Sequence, residues 1–266
     1  MRLKKLSDLK RPSVLEVALG ELPASVRMTG FAHAKAFAIS SMVRELYGES
    51  YEWYGLTLGD ERRPEIITDI GLPRNARNLR QYTQLETADL LAFQEEVPAG
   101  RVINGWIHSH GDLQVHDFSP VDEVNHRTVL EYVASRLRCP VAKKEIRIEG
   151  LTVLQENSWS PEQMKEGSVT VLTDGPLGRV RLLETVYGSF CFALVIGDAG
   201  WMQSRLLTKR RGILTGIAVY EDRDVPFVVE EPREGLTEAQ RESLKEEIQR
   251  KIRPPGSDPP ELIERL

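Results

Sequence analysis

An apolar strand pattern, Val102-Ile-Asn-Gly-Trp-Ile107, runs without a break into His108-Ser-His110, and a helix-start signal follows at Ser119-Pro-Val-Asp122. No other feature constrains the fold as much. Strand side chains alternate with a period of two, so His108 and His110 point to one face, where both imidazoles can reach one cation. Ser119 suits an N-cap, Pro120 the first helical position, and Asp122 the acidic third position of a capping box. Each piece alone has a plain structural reading: paired histidines on a strand are often surface residues, and Ser-x-x-Asp is often only a cap. Together they are far more specific. Two imidazoles and one carboxylate suit zinc with a fourth position left for water, as in hydrolytic zinc sites.

The rest of the chain supplies strands and helices in alternation, which points to an α/β or α+β layered domain. Ser25–Thr29 reads as a strand. A helix over Phe31–Tyr47 has Ala34, Phe37, Ala38, Met42 and Leu46 at spacings of three and four, with Gly48 as its stop. Glu52–Gly59, Glu65–Ile70 and Tyr82–Glu86 read as strands, Leu72–Leu79 as a basic loop, and Ala88–Val97 and Pro120–Leu137 as helices. The stretch from Cys139 to Glu184 is less regular, with short β runs at Ile146–Ile148, Thr152–Leu154 and Val169–Leu172. Phe190–Ile196, Trp201–Leu207 and Ile213–Tyr220 are strong strand candidates, with a hairpin turn at Asp198–Gly200. The helix Leu236–Ile252 has Leu244, Ile248 and Ile252 four apart, a stripe suited to packing on its own domain, and a Pro-rich tail follows from Arg253 to Leu266. The expected organisation is an arm over 1–24, a main domain over 25–232 with an insertion at about 139–184, and a C-terminal helix and tail over 233–266.

Composition narrows the function classes. Lys and Arg number 35 against 40 Asp and Glu, a net charge of −5, which disfavours a nucleic-acid binder; Lys209-Arg-Arg211 reads as a solvated strand end. No apolar run is long enough to span a bilayer. The basic start of the chain lacks the apolar region of a secretory signal. The two cysteines, Cys139 and Cys191, are far apart, and Cys191 lies in an apolar run that suits a core thiol. A reducing, cytoplasmic location is the simplest expectation.

His-Ser-His, a short loop and Ser-x-x-Asp resemble the motif of the JAMM/MPN+ zinc metalloprotease family. That family also has a glutamate about fifty residues upstream, in a strand of the type Glu-x-x-Gly-x-x-x-Gly. Here Glu52-Trp-Tyr-Gly55-Leu-Thr-Leu-Gly59 occupies that place. The amphipathic helix before it and the strand through Gly105-Trp106 match as well, so the resemblance spans roughly Ser25 to Leu137. Two departures stand out. Eight residues separate His110 from Ser119 where the family usually has seven, and Gly111 replaces a common proline.

The resemblance implies a mixed β-sheet flanked by helices in cytidine-deaminase-like layers, with an inserted β-rich segment and a C-terminal helix. It implies that His108, His110 and Asp122 hold Zn²⁺, that Glu52 serves as general base and acid, and that Ser119 donates to an oxyanion. It further implies hydrolysis of the bond after the C-terminal tail of ubiquitin or a ubiquitin-like protein, with no organic cofactor. Arg74, Arg77 and Arg80 are the candidate substrate contacts. A peptidase acting on a sulfur-carrier protein or small peptide conjugate, and a non-catalytic MPN scaffold subunit, are the alternatives. A proteasome-like partner complex or a homo-oligomer is compatible with the regions outside the motif, and a membrane partner is not expected. His116 and Asp117 read as loop residues, His126 as a helix-surface residue or a support for Asp122, and His33 as structural.

Overall fold

The computed structural model describes residues 15–74, 78–79, 82–83, 87–149, 169–172, 179–231 and 235–253. Four helices and fourteen strands lie among them. In chain order these are β1 (Glu16–Ala18), β2 (Val26–Thr29), α1 (Gly30–Tyr47), β3 (Tyr54–Asp60), β4 (Ile66–Ile67), β5 (Asp69–Gly71), β6 (Asn78–Leu79), β7 (Tyr82–Thr83) and α2 (Thr87–Gln94). They continue with β8 (Arg101–Ser109), α3 (Pro120–Arg136), β9 (Cys139–Glu149), β10 (Val169–Leu172), β11 (Arg179–Ile196), β12 (Met202–Gly212), β13 (Ala218–Asp224), β14 (Phe227–Glu230) and α4 (Glu238–Lys251). The class is α+β, a mixed sheet with helices on its faces. No helix among the described residues is long and apolar enough to cross a membrane.

The chain divides into two compact units. The larger, Leu22–Arg138 with Ser189–Lys209 and Tyr220–Leu266, carries every residue of the sequence motif. Its sheet places β8 in the middle, parallel to the end of β11 and antiparallel to β3, with β5 beyond β3. Apolar side chains fill both faces. On one, α1 and α4 contribute Ala36, Ile39, Val43, Leu244 and Ile248 to a core with Trp53, Ile107 and Phe192. On the other, α2 and α3 contribute Leu90, Phe93, Val129 and Val133 to a core with Tyr54, Leu56 and Trp106. Burying apolar surface on both sides of one sheet drives assembly of this unit. The stripe Leu244, Ile248 and Ile252 does pack back on its own unit.

The smaller unit is β-rich. Within it β9 pairs antiparallel with β1 and with the first ten residues of β11, and β10 pairs with β11. The first of these strands, β1, lies in the stretch read as a lead-in arm.

Several elements differ from the sequence reading. The strand expected from Glu52 begins at Tyr54, leaving Glu52 two residues ahead of it. The run Glu65–Ile70 is two strands, because the Thr68 N–H and hydroxyl both turn onto the Leu58 carbonyl; Ile66 and Ile67 then join β2, and Asp69–Gly71 joins β3. The strand expected from Phe190 starts at Arg179. Ile213–Tyr220 is not one strand: residues 213–215 form a turn, and β13 begins at Ala218. Buried Glu184 causes this, since its carboxylate accepts the N–H groups of Leu214 and Thr215 and the Thr215 hydroxyl. The deepest face of α1 is Ala32, Ala36, Ile39 and Val43, whereas Ala34, Phe37 and Leu46 are only partly covered. Arg77, Arg80, Thr152–Leu154 and the tail beyond Arg253 lie outside the described residues.

Candidate metal centre

The alternation of β8 divides its side chains between the two cores. Trp106 and His108 face α3, and His110 follows in phase just past the strand; Ile107 and Ser109 face α1. The Trp106 indole stacks on the His108 ring at 4.7 Å between centroids and fixes that imidazole from below. His108 Nε2 and His110 Nε2 lie 3.1 Å apart. His108 Nε2 is 3.3 Å from Asp122 Oδ1, and His110 Nε2 is 3.9 Å from Asp122 Oδ2. All three residues are buried.

Local structure explains why the carboxylate arrives there. Ser119 caps α3 and accepts the Asp122 N–H on its hydroxyl at 3.3 Å, while Asp122 Oδ2 accepts the Ser119 N–H at 2.6 Å. The capping box is complete, so Asp122 is held in one rotamer. Its Oδ1 is left for His108. The cap and the candidate ligand are one side chain serving two purposes.

The residues fit a cation. His108, His110 and Asp122 each offer one ligand atom, all within 4.8 Å of one another, and the group could hold a metal ion. The His110 Nδ1 lies 2.7 Å from the Val115 carbonyl. A carbonyl only accepts, so Nδ1 carries the hydrogen and the Nε2 lone pair points inward, as metal-ligating histidines require. Electrostatics around the site follow. Burial lowers the His108 pKa. For His110 burial acts in the same direction, but Asp122, the Val115 carbonyl and Glu52 outweigh it and raise the value. Burial also opposes charge on Asp122, yet hydrogen bonds from the two histidines hold its carboxyl well below the usual carboxylate range.

Glu52 joins this group from the neighbouring chain segment. Tyr54 pairs with His108 in the antiparallel register, and the Trp53 carbonyl accepts the Ser109 N–H at 2.9 Å. One more step along that register sets Glu52 across from His110. The side chain is buried, and burial pushes its carboxyl up to about 7, with His110 pulling it down and Asp122 pushing it up. The motif glycine Gly59 serves packing instead. A Cβ there would lie 2.7 Å from Asn104 Nδ2, an amide that ties Thr57 and the Pro64 carbonyl to β8.

The eight-residue loop is accommodated just after His110. Gly111 adopts a φ of 57°, and the Leu113 N–H returns to the His110 carbonyl. A proline could not take that φ. The His116 ring lies tilted against Trp201, 4.3 Å between centroids, and Asp117 accepts from Gln203 at 3.4 Å. His126 is buried rather than on the helix surface, against Trp106 and Phe118, with its pKa lowered by burial to about 3. His33 is half-buried against Phe37. Arg74 is exposed, and its carbonyl accepts the Tyr54 hydroxyl at 3.1 Å. Trp201, whose ring lies 6.1 Å from that of His110, and Ser40 and Ser50, which bond Ser109 and Asp198, carried no sequence signal for a site. Only Ser109, out of phase with the flanking histidines, had a face legible from its position. The chain matches no family model, and no curated protein sequence matches it.

Proposed function

We propose that the protein is a zinc peptidase of the JAMM/MPN+ type that hydrolyses the bond following the C-terminal tail of ubiquitin or a ubiquitin-like protein. The observation that carries the reading is Glu52, a buried carboxyl at about 7 beside His108, His110 and Asp122. A buried carboxyl next to a cation site is placed to exchange a proton with a water held there, which is what a general base needs. When bound, zinc supplies Lewis-acid activation of water and of the scissile carbonyl. His108, His110 and Asp122 would hold the ion. Glu52 takes the proton from the attacking water on its carboxylate and delivers it to the leaving amine. Ser119 accepts the Asp122 N–H on its oxygen lone pair, so its hydroxyl hydrogen remains available to donate to the developing oxyanion.

Incubating the protein with C-terminal fusions of ubiquitin and several ubiquitin-like proteins tests the reading. Cleavage after the tail, lost with a chelator, restored by Zn²⁺ and abolished by truncating the tail, is the expected result. Turnover of small peptides with no carrier domain would favour a peptidase acting on small conjugates. Absence of any peptide or isopeptide cleavage by the zinc-loaded protein would overturn the reading.

A further inference from the structure

The residues flanking Glu52, Ser50 and Trp53, are tied by hydrogen bonds that end at the residue following His110. On one side, the Ser50 hydroxyl donates to the Asp198 carboxylate, and the Asp198 N–H donates to the Gly111 carbonyl at 2.8 Å. On the other, the Trp53 indole N–H donates to Ser40 at 3.0 Å, Ser40 meets Ser109 at 3.4 Å, and the Gly111 N–H donates to Ser109 Oγ at 2.8 Å. Both groups of Gly111 are therefore engaged, one by each arm. Ser40 and Ser109 are buried in the core, so their arm is part of the sheet packing. The Asp198 arm is different. It belongs to the tight turn after β11, closed by the Gly197 N–H on the Trp201 carbonyl at 3.1 Å, and the side chain is only partly covered.

We infer that Asp198 is a positioning residue, a clasp that fixes the segment bearing Glu52 against the loop bearing His110 through Ser50 and Gly111. The inference rests on the proposed function for its catalytic consequence, though not for its structural one. A carboxylate on a turn is a short, stiff acceptor. It couples two chain segments that are also joined here by the Trp53–Ser109 backbone bond and by the Trp53–Ser40–Ser109 arm. Loosening it lets Glu52 drift relative to the ligands, and misplacement on the order of 1 Å lowers turnover steeply.

The test uses the full chain as Asp198→Ala, Ser50→Ala, the double variant and Asp198→Asn. Backbone amide exchange at Ser109, whose N–H bonds the Trp53 carbonyl, reads the clasp without any activity. Asp198→Ala is expected to speed that exchange about tenfold. With a cleavable fusion it should lower kcat by about 10- to 100-fold and leave KM and zinc content near wild type. Ser50→Ala should match it, the double variant should be no worse than either, and Asp198→Asn, whose amide oxygen still accepts the hydroxyl, should recover most of the loss. Unchanged exchange at Ser109 in Asp198→Ala, or losses that multiply in the double variant, would overturn the clasp. Faster exchange in a protein that cleaves no fusion would uphold the clasp and overturn the proposed function instead.

Discussion

Burial gives the Glu52 carboxyl its value of about 7, and the consequence for stability has a definite sign. In the metal-free protein the folded state holds this proton to higher pH than the unfolded chain, whose carboxyl has an ordinary value near 4.5. The contribution is fully present below about pH 4.5 and is lost as the pH rises through about 7. Glu52→Gln should therefore raise the stability of the metal-free protein above pH 7 by roughly 3 kcal/mol and leave it nearly unchanged at pH 4, as urea melts with chelator present would show. The same variant should bind zinc and fail to turn over. Gly111 makes a second case. At a φ of 57°, with its N–H on Ser109 Oγ, Gly111 leaves no room for a proline, which fits neither the φ nor the donor. Gly111→Pro should destabilise the fold by about 3 kcal/mol or more and loosen metal binding, measurable by thermal melts and chelator competition.

For α3 the first turn decides the outcome. Its cap is built from Ser119 and Asp122, yet the helix is also held by Val129, Leu130 and Val133 in the core, by the Glu123–Arg205 ion pair and by Arg127 over the Tyr220 ring at 4.0 Å. Removing the cap hydroxyl should not unfold it. Ser119→Ala should cost about 1 kcal/mol in melting experiments. If the hydroxyl also serves an oxyanion, kcat should fall by roughly 10²-fold with a smaller change in KM. Ser119→Asp keeps a capping side chain and places an anion beside the reacting group, so it should fold, bind zinc and be severely slowed. A fully active Ser119→Asp enzyme would leave this residue a structural role alone.

In the whole molecule, the centre draws on three separated pieces: β8, the start of α3 and the segment before β3. No one of them offers a full ligand set alone, so binding of a metal there would be linked to folding of the larger unit. Zinc at about 100 times its dissociation constant should add about 2.7 kcal/mol to stability. Replacing both His108 and His110 with alanine should abolish that increment and the bound metal, read by melting curves with and without Zn²⁺ and by metal analysis. Full zinc occupancy in the double variant would exclude this centre.

Residue order along the chain determined the parts of the site that are local. His-x-His on a strand and Ser-x-x-Asp at a helix start are set by periods of two and by capping chemistry, which neighbouring residues specify without help. The buried apolar strand around Cys191 and the stripe on α4 were legible for the same reason. What needed the tertiary structure was everything settled by a partner far along the chain. Glu52 acquires its pKa from the core that covers it and from His110, 58 positions away. Thr68 breaks a continuous-looking strand because Leu58 offers a carbonyl, and Glu184 turns an apolar run into a loop by collecting its N–H groups. Asp198 meets Ser50 across 148 residues. Propensity and periodicity act over a few residues, whereas burial and hydrogen-bond partners are chosen only when the sheet brings distant segments together.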